Sequence, residues 1–161
     1  MSNRPEPMKC GECGAVLVIR GYTNVEKVGG VTVTDGTTFR PTCPEGHVPP
    51  FTFDEVLAFE RRAVLAVLHD GRHVDGAVMR YARKTLGLKQ TELALVLDVS
   101  APTVSRWETG AEPVQRTTQL ALAALVDAAL TMNVARWPLP EARDQNNGTQ
   151  LEVTPPFRRT G

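Results

Sequence analysis

Two rhythms of apolar and polar positions divide the chain near residue 53. Before it, apolar residues come in short runs separated by turn formers: 15–20 (AVLVIR), two runs within 25–34 on either side of Gly29-Gly30, and 37–42 after Asp35-Gly36. A Gly-Gly pair between two alternating runs marks a two-residue hairpin, because the favoured turn needs positive φ at both positions. The pattern predicts short strands with a hairpin at Gly29-Gly30, a further turn at Asp35-Gly36 and a third strand over 37–42, closed by Pro49-Pro50. The density of Gly, Pro and Asp argues against a helix in this stretch.

From Asp54 the period becomes helical. Residues 54–70 place Leu57, Val64 and Leu68 on one face with Val56, Ala63 and Val67 beside it, with Asp54 as the expected N-cap and Gly71 as the stop. This helix is expected to link two small domains or to pack on one of them. Residues 74–133 read as all helix, with candidates at 76–86, 90–97, 101–109 and 113–132 and turns at Gly87, Asp98 and Gly110. From 134 to 161 prolines, an Asn-Asn-Gly run and few apolar residues predict a mobile tail. The expected fold class is α+β: a small β unit over 8–50, a linking helix over 54–70 and an all-α domain over 71–133.

Composition narrows the function. Hydrophobic residues make up 42% and charged residues 22%, which fits a globular chain. The apolar run from Leu120 to Val126 stops at Asp127, far short of the ~20 residues that cross a bilayer. The first residues lack an apolar stretch of the signal-peptide kind, so a cytoplasmic protein with no membrane partner is expected, associated with the nucleoid when bound to DNA. With 18 Lys+Arg against 18 Asp+Glu, bulk charge does not hold nucleic acid, yet Arg72, Arg80, Arg83, Lys84 and Lys89 face a single acid, Asp75, between residues 72 and 89.

The three cysteines all lie within the first 43 residues. Cys10 and Cys13 form a C-x2-C knuckle, and Cys43 is followed by His47 at C-x3-H spacing, a usual interval for zinc ligands. Three thiolates and one imidazole would close a tetrahedral site with no open position, which makes the zinc structural. About forty residues of thin hairpin bury too little to fold alone, and a structural zinc supplies roughly 10–16 kcal/mol of apparent binding free energy, so the unit over 8–50 reads as a zinc ribbon. Two other readings stay open: a redox C-x-x-C pair, and a decayed site without metal, since Gly46 stands where a fourth cysteine would be and His47 is displaced by one residue.

Residues 90–108 carry a two-helix pattern with apolar Leu93, Leu97, Val99, Val104 and Trp107, small Ala94 at the crossing and Asp98 at the turn. Ser100 is the expected N-cap of the second helix and Pro102 falls in its first turn. If that helix enters a major groove, its leading residues Ser100, Ala101, Pro102, Thr103, Ser105 and Arg106 meet the DNA, and Arg106 can bind guanine O6 and N7 through two hydrogen bonds. Gln90 is placed to hydrogen-bond a phosphate. Arg83 and Glu108 are expected to form a partly buried ion pair that fixes the helix angle. The surplus of apolar positions on the last helix (Leu120, Leu122, Ala123, Leu125, Val126, Ala129, Leu130) predicts that part of it forms a twofold dimer contact, hence a palindromic operator with half-sites about 34–36 Å apart; an intramolecular core is the other reading.

Leu88, Gln90, Leu93-Ala94, Val99-Ser100, Val104-Ser105-Arg106 and Trp107-Glu108-x-Gly110 resemble the Xre/Cro regulators. With the zinc knuckles and linking helix ahead of it, the arrangement over about 8–133 resembles the MqsA antitoxin family of YgiT-type zinc finger proteins. That resemblance implies a DNA-binding antitoxin: a zinc domain that neutralises an mRNA-cleaving toxin, and a dimeric helix-turn-helix that represses promoters including its own. The family's recognition-helix arginine matches Arg106, whereas Pro102 stands in place of its asparagine, and His47 in place of its usual fourth cysteine. The remaining alternatives are a stand-alone zinc-ribbon regulator or a protein-interaction adaptor with no toxin partner. An enzyme is not expected, since no acid–base constellation is visible and His69 and His73 read as solvated.

Overall fold

A computed structural model of the chain describes residues 7–47, 51–72 and 74–140. The end of the expected ribbon at 48–50, His73 and the tail from 141 lie outside the described residues. The order of elements is β1 (Val18–Val28), β2 (Val31–Thr42), α1 (Phe53–Asp70), α2 (Gly76–Thr85), α3 (Gln90–Leu97), α4 (Ala101–Thr109) and α5 (Arg116–Thr131), an α+β architecture.

The two strands form one antiparallel hairpin turned at Gly29-Gly30, with Val18 opposite Thr42 and Val28 opposite Val31. The expected turn at Asp35-Gly36 and separate third strand are corrected here. Both lie inside β2, and the register is interrupted between Tyr22 and Asn24, across from that segment. The extra residue is absorbed as a bulge, which bends a long strand without ending it. The expected first strand over 15–20 begins only at Val18, while Val16 makes an isolated bridge to Lys9.

Helix α1 starts two residues earlier than a cap at Asp54 would place it. Thr52 is the N-cap: its Oγ1 accepts from Glu55 N at 3.2 Å and Glu55 Oε2 accepts from Thr52 N at 2.8 Å. This reciprocal box satisfies two orphan amides at once, an arrangement a cap at Asp54 lacks. Helix α5 begins at Arg116, not 113, because Gln115 is extended and the Gln119 amide holds the Val114 carbonyl at 3.0 Å.

Leu68, Met79, Leu86, Leu93, Val104, Leu122 and Val126 are buried together, and Val28 at the hairpin tip is 0% exposed within the same cluster. The hairpin therefore leans on the helical body. Arg40 of β2 pairs with Glu55 of α1, and Arg62 of α1 with Asp35 of β2. The start of the expected tail is also corrected: Val134 and Trp137 pack against the core, Trp137 N donates to Leu86 O at 2.8 Å, and Arg136 pairs with Glu92. These contacts hold the chain through residue 137 against the C-terminal end of α2 and the start of α3.

Candidate nucleic-acid interface and metal centre

The N-terminal knuckle is a tight backbone loop. Gly14 N donates to Cys10 O and Cys10 N to Ala15 O, both at 2.8 Å, while Gly46 N donates to Cys43 O at 3.1 Å across the second loop. Gly14 and Gly46 have φ of 75° and 88°, which a side chain at either position would oppose. The two loops bring Cys10, Cys13, Cys43 and His47 together with all four ligand atoms within 4.8 Å of one another. Cys13 Sγ lies 3.4 Å from Cys43 Sγ, and His47 Nδ1 lies 3.6 Å from Cys43 Sγ and 3.8 Å from Cys10 Sγ. Tetrahedral zinc with its usual bond lengths sets sulfur–sulfur edges of about 3.8 Å and sulfur–nitrogen edges of about 3.6 Å, so the donor set fits that ion in size and in chemistry.

Electrostatics agree with the geometry. The Cys13 N–H and then the Glu12 N–H turn toward the Cys10 sulfur and lower its pKa to about 7. At Cys13 the Ala15 N–H pulls the thiol down, but the Cys43 and Cys10 sulfurs and burial outweigh it and hold the thiol above its ordinary value. Three crowded sulfurs, one of them readily ionised, are a site that a cation would stabilise.

In the C-terminal half, α3 and α4 are joined by Asp98, whose φ of 54° reverses the chain, and Val99 N closes the turn onto Ala94 O at 2.9 Å. Ser100 caps α4 by accepting from Thr103 N at 3.3 Å, and Gly110 ends it in the left-handed region. Val104, Trp107 and Glu108 face inward. Ser100, Pro102 and Arg106 are exposed, and Ala101, Thr103 and Ser105 half-buried, so the leading residues share an outward face. Gln90 sits differently: it is half-buried and its Nε2 donates to Glu108 Oε2 at 2.9 Å, which leaves the side chain one amide hydrogen for any phosphate.

Glu108 is the polar hub beneath this face. Arg83 Nε donates to its Oε1 and Arg83 Nη2 to its Oε2 at 3.1 Å, Arg80 Nε lies 3.5 Å away, and the Glu108 side chain is 0% exposed. Burial pushes its carboxyl pKa up, but the hydrogen bonds from Arg83 and Gln90 and the charges of Arg83 and Arg80 outweigh burial and hold it below the ordinary range. The pair ties α4 to α2, and Arg83 Nη1 also donates to Leu88 O at 2.7 Å, fixing the turn that leads into α3.

Sequence reasoning passed over three residues that shape this site. Arg61 is 2% exposed and donates to Thr85 O at 2.9 Å and Ala129 O at 3.1 Å, near the C-terminal ends of α2 and α5. Arg116 donates to Leu68 O at 3.1 Å near the end of α1. Glu112, two residues past the glycine that ends α4, pairs with Arg106 at 3.3 Å. An arginine inside an otherwise apolar helical stripe and an acid just beyond a helix stop were the available signals.

Among the described residues no helix is long and apolar enough to cross a membrane. A family model for helix-turn-helix proteins matches residues 79–128, which spans α3 and α4 with most of α2 and α5. No curated protein and no solved structure matches the chain. The match implies a regulator that binds double-stranded DNA, and the Cys/His cluster lies outside the matched segment.

Proposed function

We propose that the chain is a dimeric, sequence-specific transcriptional repressor whose helix α4 reads the major groove and whose N-terminal hairpin is built on a structural zinc held by Cys10, Cys13, Cys43 and His47. The observation that carries the reading is the outward face of α4: a capped leading turn, small or short side chains at 100–105, and an Arg106 side chain 55% exposed. A helix so presented can approach base edges, with Arg106 positioned for a guanine and the amide-rich helix start for a phosphate. The Arg83–Glu108 tie fixes the angle at which α4 leaves the body.

The dimer rests on Leu120, which stays 50% exposed on the outer side of α5. The antitoxin role of the MqsA type rests on a separate feature. The face of the hairpin turned away from the helices carries Ile19, Val25 and Phe39 at 60%, 61% and 71% exposure, a surface suited to covering by a protein partner such as an mRNA-cleaving toxin. No step of this function is enzymatic.

Selection from a random duplex pool, followed by affinity measurement with the winning sequence, tests the reading. Arg106→Ala is expected to lose about 1–3 kcal/mol at the selected site while unfolding normally. Equal affinity of the wild type and Arg106→Ala for that site would overturn the assignment of Arg106, and a pool from which no sequence is enriched would favour the adaptor role, in which the helical body no longer reads DNA.

A further inference from the structure

We propose that Glu112 is a specificity-determining residue that buttresses Arg106 for guanine, an inference that rests on the DNA-reading role of α4. Gly110 reverses the chain at the end of α4, and two residues later Glu112 N donates to Arg106 O at 3.2 Å. The backbone of Glu112 is thus fastened to the backbone of the residue its side chain meets. Its Oε2 lies 3.3 Å from Arg106 Nε. Arg106 Nη2 donates to Thr103 Oγ1 at 3.4 Å, and Thr103 Oγ1 lies 2.7 Å from the Ser100 hydroxyl.

A guanidinium has five N–H groups in a rigid plane. Glu112 lies beside Nε as an ion-pair partner and Thr103 takes one Nη2 hydrogen, which leaves hydrogens on both terminal nitrogens, and the Nη1–Nη2 edge matches the O6 and N7 acceptors of guanine. Held by two neighbours, the side chain surrenders less rotamer freedom on binding. The carboxylate has a second effect. Placed beside the duplex it repels phosphates, so Arg106 gains less from unspecific backbone contact and more of its affinity depends on the right base. The side chains of Arg106 and Glu112 are 55% and 42% exposed, and an exposed pair of this kind adds little to folding, so the arrangement is readable in DNA binding separately from stability.

The experiment uses the full chain as wild type, Glu112→Gln and Glu112→Ala. Each is titrated at one fixed salt concentration with the duplex selected by the wild type, with the same duplex carrying A·T for G·C at each position in turn, and with mixed-sequence DNA. The wild type is expected to prefer guanine at one position of the half-site by roughly 10- to 100-fold. Both variants are expected to melt like the wild type, to lose at least about fivefold of that preference and to bind mixed-sequence DNA more tightly. Unchanged preference in the variants, or a uniform tightening on every duplex, overturns the buttress and leaves DNA reading intact. A wild-type selection that enriches no sequence removes the DNA reading itself and the buttress with it.

Discussion

Glu108→Gln is the sharpest perturbation of the helix-turn-helix frame. The substitution keeps size and shape but removes the charge from a side chain that is 0% exposed and faces an Arg83 side chain only 12% exposed. The new amide also turns donor hydrogens toward Arg83 and Gln90, both of which already donate there. Arg80, 51% exposed, is solvated and gives the carboxylate only a peripheral partner. Stranding a largely buried guanidinium in this way costs about 3–5 kcal/mol, a large part of the roughly 5–15 kcal/mol that holds a domain folded. Replacing both partners by apolar residues, Arg83→Met with Glu108→Leu, removes the charge and its countercharge together and should recover to within about 2 kcal/mol of wild type, less complete than in an ideal pair because Leu88 O and the Gln90 amide also lose partners. Urea unfolding followed by helical ellipticity, with zinc present, of the wild type, Arg83→Met, Glu108→Leu and the double variant gives the four stabilities of a double-mutant cycle, with Glu108→Gln measured beside them. Single-variant losses under about 1 kcal/mol, the value of a solvated pair, would refute the claim that this contact sets the angle of α4.

Four further outcomes follow from named contacts. Gly76→Ala places a Cβ 2.5 Å from the backbone oxygens of both Trp107 and Glu108; since neither backbone can yield freely, a loss of about 1–3 kcal/mol is expected in urea unfolding. Glu108 titrates below the ordinary carboxylate value when folded, so its contribution is complete above about pH 4.3 and is lost as pH falls through the lower folded value; acid titration of Glu108→Gln should therefore be shallower than that of wild type. Glu60 is shifted upward, by burial first and the nearby Glu26 second, so its carboxylate opposes folding once pH rises past its unfolded value, and Glu60→Gln should raise the melting temperature at pH 7 and leave it unchanged at pH 3. Protein purified without added metal should carry one zinc per chain, and Cys13→Ser or a strong chelator should release it with loss of hairpin structure; folded protein free of zinc would refute the metal assignment.

The parts of this fold legible in the sequence are those fixed by local chemistry. The bounds of α3 and α4 follow from Asp98, Ser100 and Gly110, each of which solves a problem of its own few residues: a positive φ, an orphan amide, a helix stop. The Cys/His cluster was legible because ligand spacing reflects loop geometry. What escaped depends on partners far along the chain. Asp35-Gly36 has turn chemistry, but pairing of the flanking segments with β1 turns it into a strand irregularity. Asp54 and Thr52 are both competent caps in isolation, and Glu55 decides between them by closing a box on Thr52 while also reaching Arg40. Trp137 looked like part of a tail because its partner, Leu86 O, lies at the end of α2. Arg61 escaped because nothing nearby in sequence announces the two carbonyls it meets.

Those distant contacts also decide how the two halves act on each other. If the hairpin were an independent bead, metal binding there would leave α4 untouched. The contacts argue otherwise. Val28 is buried in the helical core, Arg40 and Asp35 of β2 are paired with Glu55 and Arg62 of α1, and Arg61 on the same helix fastens α2 and α5 by their backbone carbonyls. Arg116 of α5 returns to the end of α1 at Leu68 O. Helix α1 is therefore clamped along its length, by the hairpin near its start and by α2 and α5 toward its end. An ordered hairpin adds the burial of Val28 and two ion pairs to the frame that holds α2, and α2 carries the Arg83 that positions α4. Because packed interiors respond as units, stabilising the hairpin also stiffens the platform behind α4, so that, on the proposed function, a zinc bound by Cys10, Cys13, Cys43 and His47 would contribute to DNA recognition through this frame.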